Sequence, residues 1–301
     1  MYEDIGALIG KGFDTWKRNL NLAIPFVLNV VVIGLLMSVV VLAILLPIAP
    51  TLSDLISSPQ DIENVDEIAA VIGSAIEGSL GQLAAIVIIF VLVAALVNAF
   101  FTAGAIGMAR EATARRTTTL KAMWAAGKDN YLSLFFAHIL TGIIAVAGFV
   151  ILSLPFLSVV IEGIQGDAPQ MGSMIIWIVL LVIYGFLISL ALALVPYALV
   201  IDGLGPVAAI KAGVRFFRSN VMDVFLVWLV VLAISMALGV GGTVFSRYEL
   251  ATAIWSVLEV VISIAVIAPL SAVWWVRLYM SRTGKDLMEE EFYEDEEVKY
   301  L

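Results

Sequence analysis

The 301 residues contain no cysteine and a single histidine, His138. Without thiols there can be no disulfide framework, thiolate metal site or cysteine nucleophile, and one imidazole cannot complete a zinc-protease motif. A Walker loop, a dinucleotide-binding glycine fingerprint and a nucleophile elbow are missing as well. An intramembrane aspartyl pair would need two buried carboxylates, and Asp202, Asp223 and Glu259 do not fall at one depth. The expectation is therefore no catalytic residue, no metal, no cofactor and no enzyme. Charge of any sign is scarce, at 14% of residues against about a quarter in soluble domains. The net charge is −9 and no basic run exceeds a few residues, which excludes a nucleic-acid surface.

What fills the chain instead is apolar: 62% of residues, gathered into long stretches free of charge. A soluble fold cannot hide that much apolar surface, whereas lipid accepts it. A helix rising 1.5 Å per residue needs roughly 20 apolar residues to cross the hydrocarbon. Six segments satisfy this, near Leu22 to Pro47, Leu83 to Met108, Tyr131 to Val160, Ile175 to Ile201, Val221 to Phe245 and Ala251 to Val276. The first is too long for a signal-peptide core and lacks a small-residue cleavage site, so it is expected to remain as an anchor. The fold class is thus all-α, a polytopic membrane bundle of six transmembrane helices over residues 1–284, followed by an acidic tail over 285–301.

Basic residues in short loops mark the cytoplasmic side. With the amino terminus inside, fifteen of the sixteen basic residues lie cytoplasmically and only Arg247 lies outside. The outer loops are acidic, with Asp54, Asp61, Glu63, Asp66, Glu67, Glu77, Glu162, Asp167 and Glu249. The expected location is the cell membrane, with both termini cytoplasmic. Past Lys285 the tail carries eight carboxylates against Lys299, and is either a solvated end or a docking strip for a basic protein partner with Phe292, Tyr293 and Tyr300 as anchors.

Superposing Asn19, Asn130 and Asn220, which stand 111 and 90 residues apart, reveals an internal pattern. Ten positions earlier come Ile9, Leu120 and Ile210, six earlier come Phe13, Trp124 and Val214, and an apolar span follows each asparagine. In the first copy Ile5, Leu8, Ile9, Gly12, Phe13 and Trp16 share one helical face while Lys11, Asp14 and Arg18 share the other. In the third, Ile210, Gly213, Val214 and Phe217 oppose Lys211, Arg215 and Arg218. Such helices suit a leaflet interface, so the expected unit is one interfacial amphipathic helix plus two spans, used three times. Anionic headgroups on the cytoplasmic side are the expected partners of Lys11, Arg18, Lys121, Lys128, Lys211, Arg215 and Arg218. The alternative origin is three independent basic flanks. In the first outer loop, Ile62, Val65, Ile68, Ile72 and Ile76 share a face of a short helix expected to lie over the bundle mouth as a lid or packing cap.

Polar groups inside lipid are costly and each is a functional suspect. Glu259 is a proton or cation ligand or a structural hydrogen-bonding group; His138 and Asn98 are ligands or interhelical hydrogen-bond partners. Small residues recur every fourth position, as in Ala99, Ala103, Gly107, in Ser133, Ala137, Thr141, Ala145, and in Gly185, Ser189, Ala193, where helices are expected to approach closely. Pro25, Pro155, Pro196 and Pro269 fall in or near spans and would mark kinks.

The string Val195, Pro196, Tyr197 through Asp202, Gly203, Leu204, Gly205, Pro206, running on to Lys211, Arg215 and Arg218, resembles the polytopic membrane domain attached to some glycerophosphodiester phosphodiesterases and related stand-alone membrane proteins of bacteria and archaea. Ala103 to Lys128 is similar to the inner loop preceding it. The resemblance implies architecture and a lipid-related or envelope-related setting, but not catalysis, because the soluble metal-binding domain of such fusions has no counterpart here. The functional expectation is a non-enzymatic scaffold or accessory to envelope or lipid processes; the alternative is a transporter or channel with a cavity framed by the three repeats.

Overall fold

The side chain of Asp4 starts the first helix by accepting a hydrogen bond from the Gly6 amide at 3.1 Å, and Lys17 and Arg18 in its last turn complement the helix dipole. From there to the last helix the described chain is helical, with no strand among the described residues. The structure is a computed structural model describing residues 3–57, 65–158, 161, 171–245, 248–285 and 287. The elements are α1 (Ile5–Arg18), α2 (Ile24–Ser57), α3 (Val65–Arg115), α4 (Leu120–Ser153), α5 (Met171–Leu192), α6 (Val195–Asp202), α7 (Pro206–Ser219), α8 (Val221–Phe245), α9 (Glu249–Ile262) and α10 (Ala268–Arg282). Short 3-10 turns at Leu20–Ala23 and Leu154–Phe156 and a π-helical segment at Ser263–Ile267 complete them.

Six helical stretches are long and apolar enough to cross a membrane: Leu20–Leu46, Gly78–Arg115, Leu120–Phe156, Met171–Asp202, Val221–Val244 and Glu249–Arg282. They coincide with the six segments expected from hydropathy, and most of their large apolar side chains are exposed, as a lipid-facing surface requires. The chain is a multi-pass membrane protein. Of the regions expected outside the spans, the acidic tail with Phe292, Tyr293, Tyr300 and Lys299, the outer-loop residues Asp61, Ile62, Glu63, Glu162 and Asp167, and Arg247 lie outside the described residues.

Two compact units account for the chain: Met1–Phe26 with Ala99–Leu301, and Val27–Asn98. The smaller comprises most of α2 and the first two thirds of α3. Here the expected short outer helix is not a separate element, because α3 runs unbroken from Val65 into the second span over 51 residues. No proline interrupts Val65 to Arg115, so one hydrogen-bond ladder serves both.

In the larger unit, small residues set the packing. The end of α3 is buried at Ala99, Ala103, Ile106 and Met108, and a Cβ on Gly107 would come within 2.2 Å of the Ala126 Cβ in α4. Gly127 in turn faces the Phe100 ring, where a Cβ would meet Cε2 at 2.8 Å. Helices α6 and α7 meet at Gly213, where a Cβ would lie 3.0 Å from the Val195 amide nitrogen. At Gly185 the close approach is missing: nothing lies within 4 Å of a Cβ there. Gly148, one residue before the next position of the Ala145 row, meets the Tyr184 ring, whose hydroxyl donates to the Ile144 and Ala145 carbonyls at 3.2 and 3.0 Å.

Three of the prolines begin segments, whereas Pro47 and Pro50 lie inside α2. Pro196 and Pro269 stand in the first turns of α6 and α10, after the turn at 193–194 and after the π segment, and Pro25 stands in the first turn of α2. Proline lacks the amide that an interior position donates, so each ladder restarts where that amide is not needed. Gly203, at φ 65°, closes α6 in the left-handed conformation that glycine adopts without strain.

Helix α1 packs on α10 through Leu8 and Gly12, both buried. A Cβ on Gly12 would approach Trp274 Cδ1 to 2.4 Å, and Trp274 is held in place because its indole Nε1 donates to the Ile9 carbonyl at 3.0 Å. Gly12→Val is expected to lower stability by about 1–3 kcal/mol through overpacking, whereas Gly185→Ala should be neutral or slightly stabilising. Reversible unfolding in mixed detergent micelles measures both; equal effects at the two glycines would refute the packing assignment.

Candidate functional site: a charged clamp on the last helix

The final turns of α10 carry Arg277, Tyr279, Ser281 and Arg282, of which Arg277, Ser281 and Arg282 converge on Glu3 and Tyr279 binds Asp202. Arg277 is 5% exposed, so its charge is stable there only beside a carboxylate that also satisfies its N–H groups. Glu3 supplies this in a two-point pair, with Nη2 donating to Oε1 at 2.7 Å and Nε to Oε2 at 3.3 Å. The remaining Nη1 donates to Thr15 Oγ1 at 3.3 Å, and Lys11 Nζ stands 3.5 Å from the same Glu3 carboxylate. The Glu3 backbone is also held: its amide donates to Ser281 Oγ at 2.9 Å and its carbonyl accepts from Arg282 Nη1 at 2.8 Å. Arg282 Nε then donates to Asp223 Oδ2 on α8 at 2.6 Å. Across the helix, the Tyr279 hydroxyl donates to Asp202 Oδ2 at 2.6 Å, Lys285 pairs with the other oxygen of Asp202, and the Phe216 ring of α7 stacks on Tyr279 at 5.1 Å.

Asn19 is a second node. Its Nδ2 donates to the Thr15 carbonyl at 2.9 Å and to the Arg116 carbonyl at 2.8 Å, and its Oδ1 accepts from the Thr118 amide at 3.1 Å. Asn21 adds a bond from Nδ2 to the Thr118 carbonyl at 2.8 Å. These bonds hold the turn between α3 and α4, where Arg116 adopts a left-handed φ of 66°, a conformation that a non-glycine residue keeps only when its surroundings impose it. Beside this turn lies a cleft lined by Lys11, Asp14, Thr15, Arg18, Ala112, Thr113, Arg116 and Arg277.

The three asparagines that align in the sequence make one bond in common. Asn130 Nδ2 donates to the Ala126 carbonyl at 2.9 Å and Asn220 Nδ2 to the Phe216 carbonyl at 3.0 Å, matching the bond from Asn19 to Thr15 four residues back. Seven positions before each asparagine stand Gly12, Met123 and Gly213, all buried. The copies differ at the asparagine itself: α1 and α7 end there, whereas α4 continues through Asn130 to Ser153.

Of the headgroup candidates, Lys121, Lys128, Lys211, Arg215 and Arg218 are exposed and make no ion pair with a described residue, Arg18 is exposed on the cleft, and Lys11 is half-buried against Glu3. Glu259 is half-buried in α9, one turn before the π segment, with no side-chain partner among the described residues. His138 is half-buried in α4 and contributes its backbone carbonyl to Thr141 Oγ1 at 3.0 Å. No contact among the described residues joins His138 to Glu259, and Asn98 is exposed on α3. The clamp went unread in the sequence because Glu3 and Arg277 are 274 residues apart and Arg277 and Arg282 look like ordinary topogenic flanks.

The model of a domain of unknown function, DUF7847, matches residues 23–281. The chain belongs to the DUF7847 family. The match begins after α1, so Glu3, Lys11 and Asn19 precede the matched stretch of this DUF7847 member. It is also similar to an uncharacterised protein of Archaeoglobus fulgidus, 27% identical over 284 residues that cover 92% of this chain and 95% of the relative. No solved structure matches it. Neither the family nor the relative carries a link to glycerophosphodiester phosphodiesterases, so what is established is DUF7847 membership.

Removing one member of the clamp should leave the other charge buried and unpaired. Glu3→Gln is expected to cost about 3–5 kcal/mol, and adding Arg277→Met to it should restore much of the loss. Unfolding midpoints of the single and double variants provide the check; a double variant no more stable than Glu3→Gln would show that the pair is not the source.

Proposed function

We propose that this DUF7847 protein is a non-enzymatic scaffold or accessory to envelope or lipid processes, seated in the cell membrane with both termini in the cytoplasm. Its three asparagine-ended segments, α1, the start of α4, and α7, form a threefold repeat of interfacial amphipathic helices that grip the anionic cytoplasmic leaflet. The supporting observation is the division of labour on these segments: the small or apolar positions are spent on protein packing at Gly12, Met123 and Gly213, while Lys121, Lys128, Lys211, Arg215 and Arg218 stay exposed and unpaired by any described carboxylate. Unneutralised cations flanking spans are what an anionic leaflet attracts, and the basic bias of these loops favours the cytoplasmic side.

Reversing Lys211, Arg215 and Arg218 to Glu should weaken the preference for anionic over zwitterionic lipid by on the order of 1 kcal/mol per residue. Tryptophan quenching by brominated lipids in reconstituted bilayers reads that preference, and an unchanged value would defeat the leaflet-gripping role.

A second reading, a transporter or channel, is favoured by one observation: Glu259 is half-buried and unpartnered among the described residues beside a π-helical segment, a deformation that often accompanies function. On that reading Glu259→Gln abolishes a proton or cation flux of the wild-type protein in liposomes; a wild-type flux indistinguishable from empty liposomes eliminates it.

A further inference from the structure

Helix α7 is tied to the end of α10 at three points. Near its middle the Phe216 ring stacks on Tyr279 at 5.1 Å. Just before it Asp202 accepts from the Tyr279 hydroxyl and pairs with Lys285, and just after it Asp223 accepts from Arg282 Nε at 2.6 Å. These two aspartates flank α7 in the chain, and the end of α10 occupies both. Helix α7 itself contains no acidic residue. Its cations Lys211, Arg215 and Arg218 are exposed and make no ion pair with a described residue. Spaced by four and three positions, they form one stripe along the helix, roughly 10 Å long at 1.5 Å per residue.

The chain leaves α10 beside that stripe. Gly284 takes a left-handed φ of 68° and the Lys285 amide donates to the Met280 carbonyl at 3.0 Å, a helix ending that fixes the direction of exit. The Lys285 side chain is then held at Asp202, four residues before α7 begins. Sixteen residues follow in the sequence, Asp286 to Leu301, and from Glu289 to Glu297 they carry seven carboxylates and no cation. Their reach at full stretch, roughly 50 Å at about 3.3 Å per residue, exceeds the roughly 21 Å length of α7. Helix α1 also lies on α10 and offers Lys17 and Arg18, but there Asp14 shares the face of Arg18, and the pair from Lys285 directs the chain to the α6–α7 turn instead.

We propose that the acidic segment 289–297 docks on the Lys211, Arg215 and Arg218 stripe of its own α7. Charge complementarity and the short tether from Lys285 select this occupant over a separate basic-face partner. Tethering makes the association intramolecular, with an effective concentration on the order of millimolar. Exposed ion pairs are individually weak, and at that concentration several together suffice. The docking needs no lipid and so goes beyond the scaffold reading. One consequence rests on that reading: the segment and anionic headgroups compete for the same three cations.

The test joins carboxylates to amines with a zero-length carbodiimide on the full chain in dodecyl maltoside and maps the linked peptides by mass spectrometry. Expected is a dominant amide from Lys211 Nζ to a carboxylate within 289–297. Its yield should fall about tenfold between about 0.01 M and about 1 M salt, as the screening length shrinks from about 30 to about 3 Å. Arg215→Gln with Arg218→Gln leaves the reactive amine in place and should lower the yield by a similar factor, whereas Lys17→Gln with Arg18→Gln should leave it unchanged. All four side chains are exposed, so neither variant touches the core. Mixing isotope-labelled and unlabelled chains separates links within one chain from links between copies. A product dominated by Lys17, Lys121 or Lys128, a yield indifferent to Arg215 and Arg218, or a link joining two copies overturns the proposal. In nanodiscs, phosphatidylglycerol in place of phosphatidylcholine should lower the Lys211 link severalfold. An undiminished link there, after a positive result in detergent, would overturn the competition and count against the leaflet reading while the docking stands.

Discussion

A guanidinium group buried against apolar helices is stable only if a carboxylate is buried with it, and that requirement organises much of the larger unit. Arg277 lies at the end of the last span, and the carboxylate that meets it comes from Glu3, near the other end of the chain. Once Glu3 is fixed, α1 must lie along α10, which places Gly12 against Trp274 and Leu8 in the interior. Arg282, anchored by the Glu3 carbonyl, then reaches Asp223 and ties in α8. Such a pair contributes little net stability compared with an apolar replacement, but it tolerates few alternative arrangements. Packing by small residues does the complementary work: Gly107 and Gly213 bring backbones together, and Gly127 makes room for the Phe100 ring.

The spans were legible because hydropathy is a local and additive signal; a run of apolar residues means the same whatever its neighbours in space. The same holds for Pro196 and Pro269, whose chemistry forces a restart of the helix at their own position. Pairings were not legible. Nothing near Glu3 names Arg277, and nothing near Thr113 shows that its hydroxyl will lack a carbonyl. Polarity also misleads about where a helix breaks, which is why the outer-loop helix read within Asp61 to Leu80 was expected to be separate from the second span, whereas α3 runs through from Val65. Gly185 shows a related limit: spacing shows that a helix could be approached closely at a small residue, not that anything does so there.

The asparagine landmarks fall between these cases. Their alignment was visible in the sequence, but their shared bond to the carbonyl four residues back requires coordinates. Asn19 goes further than the others by also binding Arg116 and Thr118, so it alone couples its own helix to the turn between α3 and α4. The contrast explains why Asn19 is buried while Asn130 and Asn220 are only half-buried.

At Asn19 and Asn220 the helix stops and a new one begins, but at Asn130 the ladder runs on from Leu120 to Ser153. The mechanical outcome is unequal. A force on α1 or α7 is absorbed as rotation at the break, like a swivel, whereas a displacement of the Leu120 end of α4 tilts the entire rod. Of the three segments, only the middle one is continuous with the apolar stretch that follows it, so only there does the basic end move as one body with the span.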